Sequence, residues 1–211
     1  MQEVQAVFID CDGVLYDVDL LTYEEILAAC QTARQKLGLN WDDFDKIREK
    51  ERQKGFHGVY NVILQMCQAQ KIPFETVAKE IVKVLDYSRI GENPKLLDLI
   101  HKVAQKRKVY IFTNNTYAHL NEIFMRLFHT DVLGTKLNFI TIEDTLLNGR
   151  FYTKKMPGVL TDWCHKIGSK PQNTLMIDDT LDIIQAAQEQ GLKYAHIQNA
   201  QMTQDILKQL I

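Results

Sequence analysis

The chain has 211 residues, 45% of them hydrophobic and 25% charged, with a net charge of -2. It is long enough for one large domain, or for a main domain carrying an insertion, and the near-neutral charge leaves no footprint for nucleic acid. No apolar run approaches the roughly 20 residues of a membrane-spanning helix, so a membrane is not an expected partner.

The first apolar run is too short and carries aspartates, so the start of the sequence does not read as a signal peptide. Cys11, Cys30, Cys67 and Cys164 are scattered through apolar segments without a CxxC pair, as expected of buried thiols in a reducing, cytoplasmic setting. The basic cluster Lys102, Lys106, Arg107 and Lys108 falls where a helix should end, which its dipole favours.

The stretch VFIDCDGVLYD, residues 7–17, runs from β-branched and aromatic residues into Asp10, Asp12 and Gly13. It predicts a strand buried on both faces and broken by the glycine. Residues two apart on a strand point the same way, so Asp10 and Asp12 can address one object, while Cys11 is aimed away from them. Taken alone, the same residues could simply make a turn.

Helical periodicity follows. Ile26, Leu27, Cys30, Ala33 and Leu37 predict a helix over 22–37 stopped by Gly38, and Asn40 is a candidate cap for the next, with Trp41, Phe44 and Ile47. Val59, Val62, Ile63 and Met66 mark a third, and Pro73 opens a fourth through Val77, Ile81 and Val84. Residues 16–88 thus read as a small helical bundle.

From Asn93-Pro94 the pattern alternates between helix and strand. A helix to about Gln105 precedes the strand KVYIFTNNT, and Thr116 caps a helix with Leu120, Ile123 and Phe124. LNFITI is a further strand, Pro157 begins a helix to about Ile167, and NTLMIDDT is a strand ending in acids. A helix to Gln190, the strand KYAHI and a short helix complete the chain. The predicted fold class is α/β, a Rossmann-like parallel sheet covered by helices, with residues 1–15 and 89–211 as the core and 16–88 as an inserted helical bundle.

Three predicted strands end in reactive groups: Asp10 and Asp12, then Thr113 and Asn114, then Asp178 and Asp179. In a parallel sheet those ends share one edge, where four carboxylates repel one another unless a cation sits among them. A few carboxylates with room for water and phosphate suit Mg²⁺. Lys154 can bring a second positive charge.

These four segments, in this order, resemble the motifs of the haloacid dehalogenase superfamily. The apolar-DxDG start is similar to its first motif, IFTN to its second, Lys154 with Pro157 three residues on to its third, and IDDT to its fourth. The 24 residues from Lys154 to Asp178 fit the interval of such enzymes, although Lys155 is also open as the inward lysine.

The resemblance implies a helical cap of the C1 type inserted after the first motif, and an Mg²⁺-dependent phosphatase. Asp10 would be the nucleophile, forming an aspartyl-phosphate, and Asp12 the general acid and base. Thr113, Asn114 and Lys154 would bind phosphate. Asp10, the Asp12 backbone carbonyl, Asp179 and Asp178 would hold Mg²⁺. Asp182 is a candidate supporting acid. Ile183 departs from the polar residue common at its position, leaving open what supports Lys154.

The cap break Lys54-Gly55-Phe56-His57-Gly58 is where a cap offers a loop to the substrate, so His57 and Lys54 are candidate leaving-group contacts; turn glycines are the alternative. The expected substrate is a small phosphorylated metabolite, a nucleoside monophosphate or a sugar phosphate. LDYSRIGENPKLLDLI and FTNNTYAHL look like pyrimidine 5′-nucleotidase relatives, but Gly13-Val14 does not. A phosphomutase of the same fold, and a non-catalytic binding module on it, are the alternative readings.

Overall fold

A computed structural model describes residues 3–56 and 58–211; the expected contact His57 lies outside the described residues. The opening apolar run forms β1 (Ala6–Ile9), all four residues buried, and Gly13 turns the chain at φ +72°. Four helices follow: α1 (Tyr23–Leu37), α2 (Phe44–Gln53), α3 (Val59–Gln70) and α4 (Phe74–Val84). Thr22 and Glu25 close a reciprocal capping box at the start of α1, and Gly38 ends it in the left-handed region. Asn40 does not cap α2. Its Oδ1 accepts from the Asp42 amide at 2.8 Å, so it makes an Asx turn, and the helix starts at Phe44.

The rest alternates: α5 (Pro94–Ala104), β2 (Lys108–Phe112), α6 (Tyr117–Phe128), β3 (Asn138–Ile140), a hairpin of β4 (Leu146–Leu147) and β5 (Arg150–Phe151), then α7 (Val159–Lys166), β6 (Thr174–Asp178), α8 (Leu181–Glu189), β7 (Lys193–His196) and α9 (Ala200–Leu210). Asn93 and Thr116 cap α5 and α6 with their side chains. The helix expected at Pro157 begins two residues later, after Gly158, which sits at φ +84°. The strand expected over LNFITI is only three residues long, because Thr141 starts a 3-10 turn through Thr145.

The main sheet is entirely parallel, in the order β3, β2, β1, β6, β7. Strand alternation sorts its residues into two cores. Val7, Ile9, Val109, Ile111, Leu175 and Ile177 face α5, α6 and α9, whereas Ala6, Phe8, Phe112 and Met176 face α7 and α8. This is the predicted Rossmann-like architecture.

Helices α1–α4 have a third core of their own around Cys30, Ala33, Ile63, Cys67, Val77 and Ile81. Ile142 and Phe151 join that cluster from the sheet side. Asn61 on α3 receives the Phe151 amide at 2.8 Å and donates to the Phe151 carbonyl at 2.9 Å, as a neighbouring strand would. Among the described residues no helix is long and apolar enough to cross a membrane.

Candidate active site at the carboxyl edge of the sheet

The register of β1 against β6 pairs Ile9 with Ile177, which brings Asp10 and Asp178 side by side just past the strand ends; the Asp10 amide donates to the Ile177 carbonyl at 2.9 Å. Both acids continue the series that faces α7 and α8, and both are buried. Two carboxylates in that position need a cation. Lys154 supplies it, its Nζ lying 2.8 Å from Asp10 Oδ1 and 2.7 Å from Asp178 Oδ2 while its side chain is 1% exposed. Its backbone amide donates to Asn114 Oδ1 at 3.0 Å, which pins the loop after β5 to the loop after β2. Lys155 is not part of this bridge; it lines the adjoining cavity.

Burial and the charge of Asp178 raise the Asp10 carboxyl well above its ordinary range, even with Lys154 opposing them. Burial alone would pull Lys154 down, but Asp10 and Asp178 together push it above the usual lysine value. Asp179 is also raised, by burial and by Asp178. Burial is the larger cause of both shifts, and the charge of Asp178 adds to it.

Asp10, Asp178 and Asp179 offer carboxylate oxygens within 4.8 Å of one another. An all-oxygen set with surplus negative charge fits Mg²⁺. Gly13 is shaped to this cluster: a Cβ there would stand 2.3 Å from Asp179 Oδ2.

Asp12 has a separate environment. His119 Nε2 lies 2.8 Å from its Oδ1, the Tyr16 hydroxyl donates to the same oxygen, and Asn115 Nδ2 donates to Oδ2 at 2.7 Å. Burial would raise this carboxyl, but His119 and the three hydrogen bonds outweigh it and hold Asp12 well below the ordinary carboxylate range. Tyr87, just beyond α4, places its hydroxyl 2.9 Å from His119 Nδ1. The two aspartates of one motif are therefore in opposite electrostatic states.

Thr113 is buried, and its Oγ1 accepts the Asn115 amide at 3.0 Å, which leaves its hydroxyl proton to donate elsewhere. A cavity of about 430 Å³ opens beside Asp10, walled by Tyr60, Asn114, Ile142, Thr153, Lys155 and Asp182. Thr153 Oγ1 on this wall is a buried hydroxyl with no hydrogen-bond partner among the described residues. Lys54, a candidate leaving-group contact, has its Nζ 3.1 Å from Glu51 Oε1.

Sequence reasoning picked out Asp10, Asp12, Thr113, Asn114, Lys154, Asp178 and Asp179, and the structure gathers them at one edge. It missed Tyr16, Tyr60, Tyr87, Asn115 and His119. His119 carried a readable hint, since it stands four residues before Ile123 on the buried face of α6.

Residues 4–191 match the family model for haloacid dehalogenase-like hydrolases. No curated protein sequence matches significantly. The fold resembles that of a predicted HAD-like family hydrolase from Porphyromonas gingivalis (TM-score 0.60, 14% identity, covering 99% of this chain and 98% of that one). It also resembles CbbY from Rhodobacter sphaeroides in complex with phosphate (0.58, 17%, 90% and 84%). An HAD family enzyme from Bacteroides thetaiotaomicron, in complex with magnesium and inorganic phosphate, is similar too (0.53, 18%, 92% and 93%). With the family model spanning most of its length, the chain belongs to the haloacid dehalogenase-like hydrolases.

Proposed function

We propose that the protein is an Mg²⁺-dependent phosphomonoesterase acting on a small phosphorylated metabolite, with residues 16–88 as a cap over a core of residues 1–15 and 89–211. The observation that carries this reading is the cluster of Asp10, Lys154, Asp178 and Asp179, of which Asp10 lines the cavity. Solved structures of the same fold in complex with phosphate, one of them also with magnesium, are consistent with it.

Asp10, Asp178 and Asp179, with the Asp12 backbone carbonyl, would hold Mg²⁺, which when bound neutralises phosphoryl charge so that a carboxylate can approach an anion. Asp10 attacks phosphorus and becomes the aspartyl-phosphate, while the bond to the leaving oxygen breaks. Asp12 gives that oxygen a proton, then takes one from the water that attacks the aspartyl-phosphate, releasing phosphate and restoring Asp10.

The three donors around Asp12 favour its ionised form, which readies it as the base. A bound phosphoryl group places like charge nearby and raises its proton affinity, which loads it as the acid. Thr113 and Lys154 donate to the phosphoryl oxygens and stabilise charge in the transition state. The cavity has a volume suited to a nucleoside monophosphate or sugar phosphate.

Hydrolysis of p-nitrophenyl phosphate, measured with and without Mg²⁺, tests the reading. Phosphate release that needs the metal and disappears in Asp10→Asn is expected; metal-independent activity surviving that substitution would falsify it. A phosphomutase, using the same Asp10, would instead interconvert sugar phosphate isomers without net phosphate release.

A further inference from the structure

The two oxygens of Asp12 are not equivalent. Oδ1 takes both the Tyr16 hydroxyl and His119 Nε2, which fills the two acceptor positions of a carboxylate oxygen. Among the described residues Oδ2 takes only Asn115 Nδ2, at 2.7 Å, and keeps one position open. Oδ2 is therefore the oxygen able to exchange a proton, and Asn115 is the residue that touches it directly.

Asn115 is itself held from two sides. Its backbone amide donates to Thr113 Oγ1 at 3.0 Å, and its Oδ1 accepts the hydroxyl of Tyr60 at 2.8 Å. An ionised carboxylate needs a donor, so the amide nitrogen must face Asp12, and the Tyr60 hydroxyl satisfies the oxygen left on the other side. Tyr60 lies on α3, in the helical segment, whereas Asn115 and Asp12 lie on loops at the sheet edge. This hydrogen bond exists only while α3 is docked on the core.

We infer that Tyr60, reaching from α3 to the sheet edge, is a positioning residue for proton transfer, orienting Asn115 and through it Asp12 Oδ2. The inference rests on the phosphomonoesterase reading above. Without the Tyr60 hydroxyl, Asn115 loses the hydrogen bond that keeps its amide turned toward Asp12.

Leaving-group chemistry separates this role from a structural one. An alkoxide needs the proton from Asp12 to depart, whereas p-nitrophenolate leaves nearly unaided. The test compares kcat/KM of wild type and Tyr60→Phe on p-nitrophenyl phosphate and on the best alkyl monoester from a panel of sugar phosphates and nucleoside monophosphates. This ratio reports the steps through departure of the leaving group.

Loss of one hydrogen bond predicts a drop of about five- to tenfold on the alkyl ester and less than about twofold on the aryl ester. In an Asn115→Ala background the Tyr60→Phe substitution should cost less than about twofold on either, because the relay is already cut. Equal losses on the two esters, or additive losses in the double variant, overturn the inference while leaving the phosphatase reading intact. Wild-type protein that releases phosphate from neither ester removes that reading and the inference together.

Discussion

Replacing Lys154 with methionine should expose how much the site depends on one cation. The change keeps an unbranched side chain, one atom shorter, but leaves Asp10 and Asp178, both buried, as neighbours without the ammonium between them. Removing one partner from a buried, hydrogen-bonded charge pair costs about 3–5 kcal/mol. Over 211 residues, an unfolding entropy of about 2.1 cal/mol/K per residue gives about 0.44 kcal/mol/K, so the metal-free Tm should fall by about 7–11 °C.

The deficit has a pH signature. Burial and Asp178 already raise the Asp10 carboxyl, and loss of Lys154 raises it further. A carboxyl whose folded pKa lies above its unfolded value contributes stability that is full below the unfolded value, near pH 4, and shrinks as pH rises toward the folded one. The variant should thus be closer to wild type at pH 4 than at pH 7. Calorimetry in EDTA over that range measures both quantities. A fall under about 2 °C at pH 7, or a deficit that does not change with pH, would mean that Lys154 does not hold the two carboxylates together.

Gly13→Ala places a methyl group on Asp179 Oδ2 and forces alanine to φ +72°. Mg²⁺ affinity by calorimetry should drop at least about tenfold, since the displaced carboxylate is one of three; unchanged affinity would show that Asp179 is no ligand. Glu51 on α2 is buried against the hairpin, accepting from Arg150 at 2.8 Å. Burial would raise its carboxyl, but the bonds from Arg150 and Lys54 outweigh this and lower it. The stability it contributes is therefore present above its unfolded pKa, near 4.5, and lost as pH falls through the folded value. Glu51→Gln should flatten the Tm profile between about pH 5 and pH 3, and a profile that keeps its slope would place the acid sensitivity elsewhere.

The strands and most helices were legible because each carries a period or a punctuation mark. The apolar run of β1, Asn93-Pro94 before α5, Thr116 before α6 and the left-handed Gly38 all act locally, within a few residues of what they specify. The β4–β5 hairpin was missed because strands of two residues have no period, although its turn, Asn148-Gly149, is a strong hairpin signal. Asn40 shows the opposite error, since a residue that suits a cap also suits an Asx turn and only the backbone decides.

At the candidate site, residues on strand ends could be read from spacing, because a parallel sheet aligns its carboxyl ends whatever the loops do. Asn115 and His119 stand 103 and 107 residues from the Asp12 they bind, and Tyr60 stands 55 from Asn115. No local pattern encodes such pairings. They emerge only when α3 and α6 pack at the sheet edge, and they give Asp12 a low proton affinity that the motif alone does not convey.

The most direct measurement is to trap the covalent species. Quenching Mg²⁺-loaded protein with borohydride during turnover of a phosphate ester, followed by peptide mass spectrometry, should find residue 10 converted from an aspartyl-phosphate to homoserine, and only when metal and ester are both present. Conversion at another carboxylate, or turnover with Asp10 unmodified, would contradict the nucleophilic role of Asp10 at the carboxyl end of β1.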